Sequence, residues 1–296
     1  MRIAALDIGG TSIKSGVWDG TMVYQWKETP TNASEGGVRL MERAKEILRE
    51  YAPFDAVGIS TAGQVDTEKG AIYYANENIP EYTGMEVRRI MEECFGVPVW
   101  VENDVNAAAV GEAHFGAGRE VSDFLCLTYG TGVGGAIVID GKVYGGCSFS
   151  AGSFGGILTH PEDAVSGEDF SGCYEKYASV TALIRNARRL DESLTDGRAV
   201  FAAFDRPQVR QLVDQWINEV VYGLVTLVHV FNPQRIVLGG GIMDQPYISM
   251  EVRQRLLSLV SPGFRKTEVI RAQLGNQAGF LGAAYEASTR IKTNTL

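Results

Sequence analysis

Glycine placement constrains this chain more than any other feature. Thirty-five of the 296 residues are glycine, and they gather at Gly9-Gly10, Gly130 to Gly135, Gly145-Gly146, Gly152 to Gly156 and Gly239 to Gly241, each beside an apolar run of strand character. A glycine at the end of a strand marks a turn with positive φ, or a place where the backbone comes close to something else. Recurrence of that arrangement along one chain points to a ligand enclosed largely by main chain.

The pattern between the glycines repeats. Strands are expected at Arg2–Leu6, Ser12–Trp18 and Met22–Trp26, with an Asp19-Gly20 hairpin turn and a helix from Ser34 to about Tyr51. A strand at Ala56–Ser60, a polar loop containing Pro80, a helix near Met85–Phe95, a strand at Val97–Val101 and a helix from about Val105 to His114 follow. After Gly116 the pattern restarts with strands at Asp123–Thr128 and Ala136–Ile139 and a second Asp-Gly turn at Asp140-Gly141. Helices over Tyr174–Leu190, Pro207–Phe231 and Asn276–Ser288 and a strand at Arg235–Leu238 fill the rest. Each Asp-Gly turn follows a glycine-rich turn by about ten residues. Two related αβ lobes with a cleft between them explain this economically; shared turn chemistry by coincidence is the alternative.

Composition narrows the partners. Hydrophobic residues are 45% and charged residues 21%, within the range of globular chains, and the net charge of -9 opposes binding to phosphate backbones or anionic lipid. No apolar run approaches the roughly 20 residues of a membrane span, and an acidic residue, Asp7, comes too early for a signal peptide. A soluble, cytoplasmic protein acting on small molecules is expected, with no nucleic-acid or membrane partner. Cys94, Cys126, Cys147 and Cys173 form no Cys-x-x-Cys pair, so neither a disulfide framework nor a thiolate zinc cluster is suggested.

Gly-x-x-x-x-Gly-Lys-Ser/Thr does not occur, which excludes a P-loop. Gly130-Thr131-Gly132-Val133-Gly134-Gly135 does fit Gly-x-Gly-x-x-Gly, but a strand follows where a dinucleotide site needs a helix N-terminus. A glycine turn between antiparallel strands can still present backbone N–H groups to an anion, with a threonine hydroxyl beside them. Asp7-Ile8-Gly9-Gly10-Thr11 has the same build plus a carboxylate, an arrangement suited to hydrated Mg²⁺. Asp104, after an apolar strand and at the start of a helix, reads either as a helix cap or as a general base.

Taken together, Asp7-Ile8-Gly9-Gly10-Thr11 with Lys14, Glu102-Asn103-Asp104-Val105-Asn106-Ala107, Leu127 through Gly135, and Leu238-Gly239-Gly240-Gly241-Ile242 resemble the successive signatures of the ROK family of sugar kinases and repressors. The resemblance implies an α/β, actin-like ATPase (ribonuclease H-like) fold, with ATP and a sugar in a central cleft. With the internal echo it places a first lobe at 1–115 and a second at 116–296, the helix at about 276–290 packing back on the first. It implies Asp104 as the general base, and Gly63, Asn78, Asn103, Asp104, Ser153 and Glu175 at positions that bind the sugar. Asp7, Gly9, Gly10, Thr11, Lys14, Gly130, Thr131, Gly132 and Gly240 fall at ATP and phosphate positions, with Asp7 also organising Mg²⁺ indirectly. Asn78 could instead be a turn residue, Glu175 a favourable charge in a first helical turn, and Gly239 to Gly241 an ordinary strand-to-helix turn. A homodimer is also implied.

Two positions depart from the family pattern. Ala151-Gly152-Ser153-Phe154-Gly155-Gly156 places Ser153 where relatives carry a sugar-binding Glu, and Gly156 where they carry a zinc-binding His. Only Cys173 remains of the accompanying cysteines, so no zinc is expected. His160 lies close enough in sequence to be an alternative sugar contact. Glucose, a β-glucoside and N-acetylmannosamine all remain open as acceptors. A repressor is not expected, because the first phosphate strand begins at Arg2, whereas family repressors carry a preceding helix-turn-helix.

Overall fold

A computed structural model describes residues 1–294. In chain order it contains β1 (Ile3–Ile8), β2 (Ser12–Trp18), β3 (Val23–Pro30), α1 (Gly37–Arg49), β4 (Ala56–Thr61), β5 (Gln64–Asp66), β6 (Ala71–Tyr74), α2 (Val87–Phe95), β7 (Val99–Asn103) and α3 (Asp104–Phe115). Then come β8 (Phe124–Tyr129), β9 (Val133–Ile139), β10 (Lys142–Val143), α4 (Glu175–Ala178), α5 (Val180–Leu190), α6 (Gly197–Ala202), α7 (Pro207–Phe231), β11 (Arg235–Gly239), α8 (Pro246–Leu259), β12 (Glu268–Arg271) and α9 (Ala278–Asn294).

These elements make two compact units. The first comprises Met1–Glu120, Lys142–Ala151 and the chain from Asn276; the second comprises Val121–Gly141 and Gly152–Gly275. The first unit thus takes in, besides the N-terminal segment, Lys142–Ala151 and the chain from Asn276. In the first unit the strand order is β3-β2-β1-β4-β7, with β1 antiparallel to β2 and parallel to β4, and β4 parallel to β7. In the second, β8 is antiparallel to β9 and parallel to β11, which is parallel to β12. Each unit thus has a hairpin around a glycine turn followed by parallel strands, the counterpart of the repeat in the sequence.

All of β1 is buried, which explains why it reads as continuous rather than alternating hydrophobicity. Ala4, Leu6 and Ile8 share a core with Leu40, Met41, Ala44 and Leu48 of α1, whose apolar residues recur at helical spacing. The alternate residues of β1 face α9. There the contact depends on glycine. A Cβ on Gly282 would lie 1.8 Å from the Ala107 carbonyl oxygen, one on Gly58 2.2 Å from that of Ala283, and one on Gly111 2.3 Å from that of Ala278.

Several elements were not legible as expected. The polar loop before Pro80 contains the β5–β6 hairpin, and the single helix expected over Tyr174–Leu190 is broken. Ser179 turns extended there (φ -71°, ψ 160°), and its hydroxyl accepts a hydrogen bond from Ala182 N as the cap of α5. β9 starts at Val133 rather than Ala136, confining the turn to Gly130-Thr131-Gly132. Among the described residues, no helix is long and apolar enough to cross a membrane.

Gly282→Ala should lower stability by about 2–4 kcal/mol, since rigid helix backbone must move to admit the methyl group. Gly197→Ala, where nothing lies within 4 Å, is the control and should be neutral or slightly stabilising. Thermal midpoints of the two variants check this; equal midpoints would refute the packing argument.

Candidate active site

The first unit gathers one set of polar side chains at the ends of its central strands. Asp7 is 9% exposed; Ser60 Oγ donates to its Oδ1 at 2.6 Å, and Lys14 Nζ, cross-strand from it, approaches Oδ2 at 3.4 Å. A Cβ on Gly279 of α9 would stand 2.7 Å from Asp7 Oδ1 and 2.9 Å from Ser60 Oγ, so glycine there leaves this pair room. Gly9, Gly10 and Thr11 form the adjoining β1–β2 turn, in which Thr31 Oγ1 donates to Gly9 O at 2.6 Å and Thr31 N to Thr11 O at 3.0 Å.

Asp104 begins α3, and the cap role falls to its neighbour. Asn103 Oδ1 accepts from Val105 N at 2.9 Å and Asn106 N at 3.1 Å, while its Nδ2 donates to Gly63 O and Asp104 Oδ1, each at 2.9 Å. Val105 N also donates to Asp104 Oδ1. Among the described residues, every hydrogen bond to this carboxylate falls on Oδ1, leaving Oδ2 for a ligand hydroxyl. Burial foremost, and then the negative charge of Asp7, push the Asp104 carboxyl up to about 6. A carboxylate so poised is still ionised at neutral pH but is a stronger base than an ordinary aspartate.

Gly63 takes φ +97° and packs against the backbone of Tyr74, with a hypothetical Cβ 3.0 Å from Tyr74 O. Asn78 is exposed, and its N–H donates to Asn76 Oδ1 at 3.2 Å, so its backbone forms a turn there.

The second unit holds the other set. Gly130-Thr131-Gly132 turns between β8 and β9; Gly130 N donates to Gly132 O at 3.0 Å, and Val180 N donates to Gly130 O at 2.9 Å. Glu175 lies directly against this turn, its Oε2 accepting from Val133 N at 3.4 Å. A Cβ on Gly132 would be 2.6 Å from Glu175 Oε2, so close approach, not positive φ, explains that glycine. Gly240 has φ +98°, and a Cβ there would be 2.1 Å from Tyr129 O, a packing requirement of its own. Ser153 is exposed at the start of a short 3-10 turn. At Gly156 the Phe170 ring lies 3.6 Å from where a Cβ would stand. His160 stacks on Tyr177 with centroids 3.7 Å apart, and its Nε2 is 3.5 Å from Glu219 Oε2, which gives that ring partners within its own unit.

The residues fit a nucleotide-bound Mg²⁺. The buried Asp7 oxygens have one hydroxyl donor and the Lys14 ammonium at 3.4 Å, and the nearby Asp104 charge adds to the demand for a further cation. Among the described residues no group of three or more His, Cys, Asp or Glu stands together to hold a metal. A site with one or two carboxylates suits an ion that keeps its waters and takes phosphate oxygens.

Ser60 and Gly279 escaped the sequence reading, and Glu102 stands there only as the first residue of a family signature, with no role of its own. Glu102 is 7% exposed, and its Oε1 accepts from Asn103 N at 2.8 Å and Asn106 Nδ2 at 3.2 Å. Burial dominates its environment and pushes its carboxyl up to about 7. In sequence it follows the apolar run Val99-Trp100-Val101 and opens the Glu102-to-Ala107 signature.

A duplicated αβ unit with a carboxylate beside the first hairpin turn defines the actin-like ATPase class. The model of the ROK family matches residues 3–290. The chain is 33% identical to a β-glucoside kinase of Listeria innocua over 96% of this chain and 97% of that one, and 33% identical to a glucokinase of Streptomyces coelicolor over 94% and 95%. Among solved structures it resembles a ROK hexokinase from Thermus thermophilus (35% identity, TM-score 0.82, 99% of this chain and 100% of that one). It also resembles a ROK family glucokinase from Streptomyces griseus in complex with glucose and AMPPNP (30% identity, TM-score 0.83, 98% and 100%). The chain belongs to the ROK family.

Because the folded state raises the Glu102 pKa, its charge opposes folding. That penalty is absent below the unfolded value near 4.5, grows as pH rises, and is complete above about 7. Glu102→Gln keeps the accepting oxygen and should therefore raise the thermal midpoint at pH 8, corresponding to about 1–3 kcal/mol, with little effect at pH 4. A midpoint gain independent of pH would show that the carboxylate is not the cause.

Proposed function

We propose that this protein transfers the γ-phosphoryl group of Mg²⁺-ATP to the 6-hydroxyl of a hexose or N-acylhexosamine, with Asp104 as general base. The observation that carries the reading is the Asp104 carboxylate: Asn103 holds Oδ1, Oδ2 is left for a ligand hydroxyl, and the carboxyl is raised to about 6. Phosphoryl transfer asks a protein mainly for positioning and charge stabilisation, with one group to take the proton of the attacking hydroxyl. Asp104 Oδ2 accepts that proton as the sugar oxygen bonds to phosphorus and ADP departs. Asn103 and Gly63 orient the acceptor side, with Asn78, Ser153 and Glu175 as further sugar contacts.

In this reading the Gly9-Gly10-Thr11 and Gly130-Thr131-Gly132 turns take the phosphates, together with Lys14, and Gly240 contacts the nucleotide. Asp7 would hold Mg²⁺ through water; the ion when bound supplies neutralisation of phosphate charge. The relatives named as kinases of glucose and of β-glucosides support this class of acceptor. A second reading, a sugar-binding protein with weak catalysis, draws on Ser153 and Gly156 in place of the family's Glu and His.

ADP release with Mg²⁺-ATP across glucose, mannose, N-acetylglucosamine, N-acetylmannosamine and β-glucosides separates the two. Sugar-dependent turnover that falls by at least about a hundredfold in Asp104→Asn supports the kinase; sugar binding without turnover supports the second reading. The base must be ionised to act, so kcat/KM should fall as pH drops through about 6. An acid limb centred near pH 4 would remove Asp104's raised pKa from the mechanism.

A further inference from the structure

Two backbone irregularities converge on one aromatic pair in the first unit. In the β5–β6 hairpin Gln64 pairs with Tyr74 and Val65 with Ile72, so Tyr73 is the extra residue of a bulge. Bulges give up regular pairing and re-aim a side chain. Phe149 lies in the loop closed by the hydrogen bond from Ala151 N to Gly145 O, 3.1 Å, and adopts φ +60°, an unusual conformation for a bulky residue. The two rings meet edge to face, with centroids 5.8 Å apart and planes at 62°.

Tyr73 does not fill a core, while Phe149 is half-buried. Tyr73 is 54% exposed, and Tyr74 and Tyr144 nearby in sequence are exposed to a similar degree. Burial therefore does not account for the bulge at Tyr73, and strained backbone such as that of Phe149 gathers at ligand sites. The location is specific. Gly63, whose carbonyl accepts from Asn103, packs against the backbone of Tyr74, so Tyr73 is one residue from the strand position that backs Asn103 and Asp104. Ser148 and Ser150 flank Phe149, with their hydroxyls 3.2 Å apart, adding polar groups beside an apolar surface.

We propose that Tyr73 and Phe149 form a subsite for a ring-shaped aglycone, making a glycoside the preferred acceptor over a free hexose. This inference rests on the kinase reading and names the substrate class for the same site. The C–H face of a second sugar, or a phenyl ring, stacks on the exposed aromatic surface while the first sugar presents its hydroxyl to Asp104. No charged group is needed to recognise such a neutral ring.

The test compares kcat/KM for glucose, methyl β-glucoside, phenyl β-glucoside and cellobiose in the natural protein, Tyr73→Ala and Phe149→Gly; glycine keeps the positive φ while deleting the ring. The natural protein should favour phenyl β-glucoside or cellobiose over methyl β-glucoside, and each variant should shrink that preference about threefold to tenfold, mainly through KM. Preference for phenyl β-glucoside or for cellobiose identifies an aryl or a sugar aglycone. A preference that survives both substitutions, or turnover of free sugars alone, overturns the subsite and leaves the kinase standing. No turnover with any acceptor across this and the wider sugar panel overturns the kinase reading, and the subsite falls with it.

Discussion

The first unit depends on how closely the last helix can approach the first strands. Gly58, Gly111 and Gly282 let the backbones of β4, α3 and α9 meet at distances that a single Cβ would forbid, and Gly279 brings α9 over Asp7 and Ser60. The end of the chain thereby closes the roof over a carboxylate near its beginning. Stability and chemistry share this interface: the packing that excludes water from β1 also fixes the Asp7 oxygens against Ser60 Oγ at 2.6 Å. A looser helix would give Asp7 more solvent, weakening the electrostatic demand that the site places on a cation.

That demand has a cost. Asp104 and Asp7 are like charges in one poorly hydrated region, and Glu102 adds a third carboxyl raised by burial at the junction of β7 and α3. Folding preserves the arrangement because surrounding donors are tightly assigned: Asn103 serves the helix cap, Gly63 and Asp104 at once, while Glu102 receives Asn103 N and the Asn106 amide. Asn103 consequently ties the helix cap to the Asp104 carboxylate, and its removal would disturb both together. The Asp104 and Glu102 carboxylates are left in an environment that disfavours their charge, which is the condition under which an aspartate becomes useful for accepting a proton near neutrality.

The sequence exposed some of this directly. The β1–β2 and β8–β9 hairpins were legible because their glycine turns lie between apolar runs and each ends near an Asp-Gly pair. The β5–β6 hairpin was not, since its strands are short, Thr67-Glu68-Lys69-Gly70 separate them, and the bulge at Tyr73 breaks the alternation. Ser179 breaks the helix before Val180 by offering a side-chain cap, a choice that a serine inside an apolar-periodic run does not announce. The placement of Asp104 at the junction of β7 and α3 could be read from the apolar run before it and the helical pattern after it. Ser60 and Gly279 could not, because their importance arises only when β1, β4 and α9 meet.

Position 175 shows the same dependence on distant chain. Glu175 stands at the first turn of a helix of only four residues, too short to hold a carboxylate by itself. What fixes it is the segment before it: Thr159 N and His160 N both donate to Gly172 O, Leu158 bridges Cys173, and Tyr174 N donates to Ile157 O at 2.7 Å. Tyr174 is then anchored in the core, its hydroxyl bonded to Tyr129 and to Val220 O, and Gly223 supplies the space for its ring. Through Tyr174 the Glu175 carboxylate is tied to β8 and α7, and through Gly132 and Gly155 it is admitted against the β8–β9 turn. The contact of Glu175 with Val133 N at the end of the turn thus rests on chain far from α4, which a helix of four residues does not supply by itself.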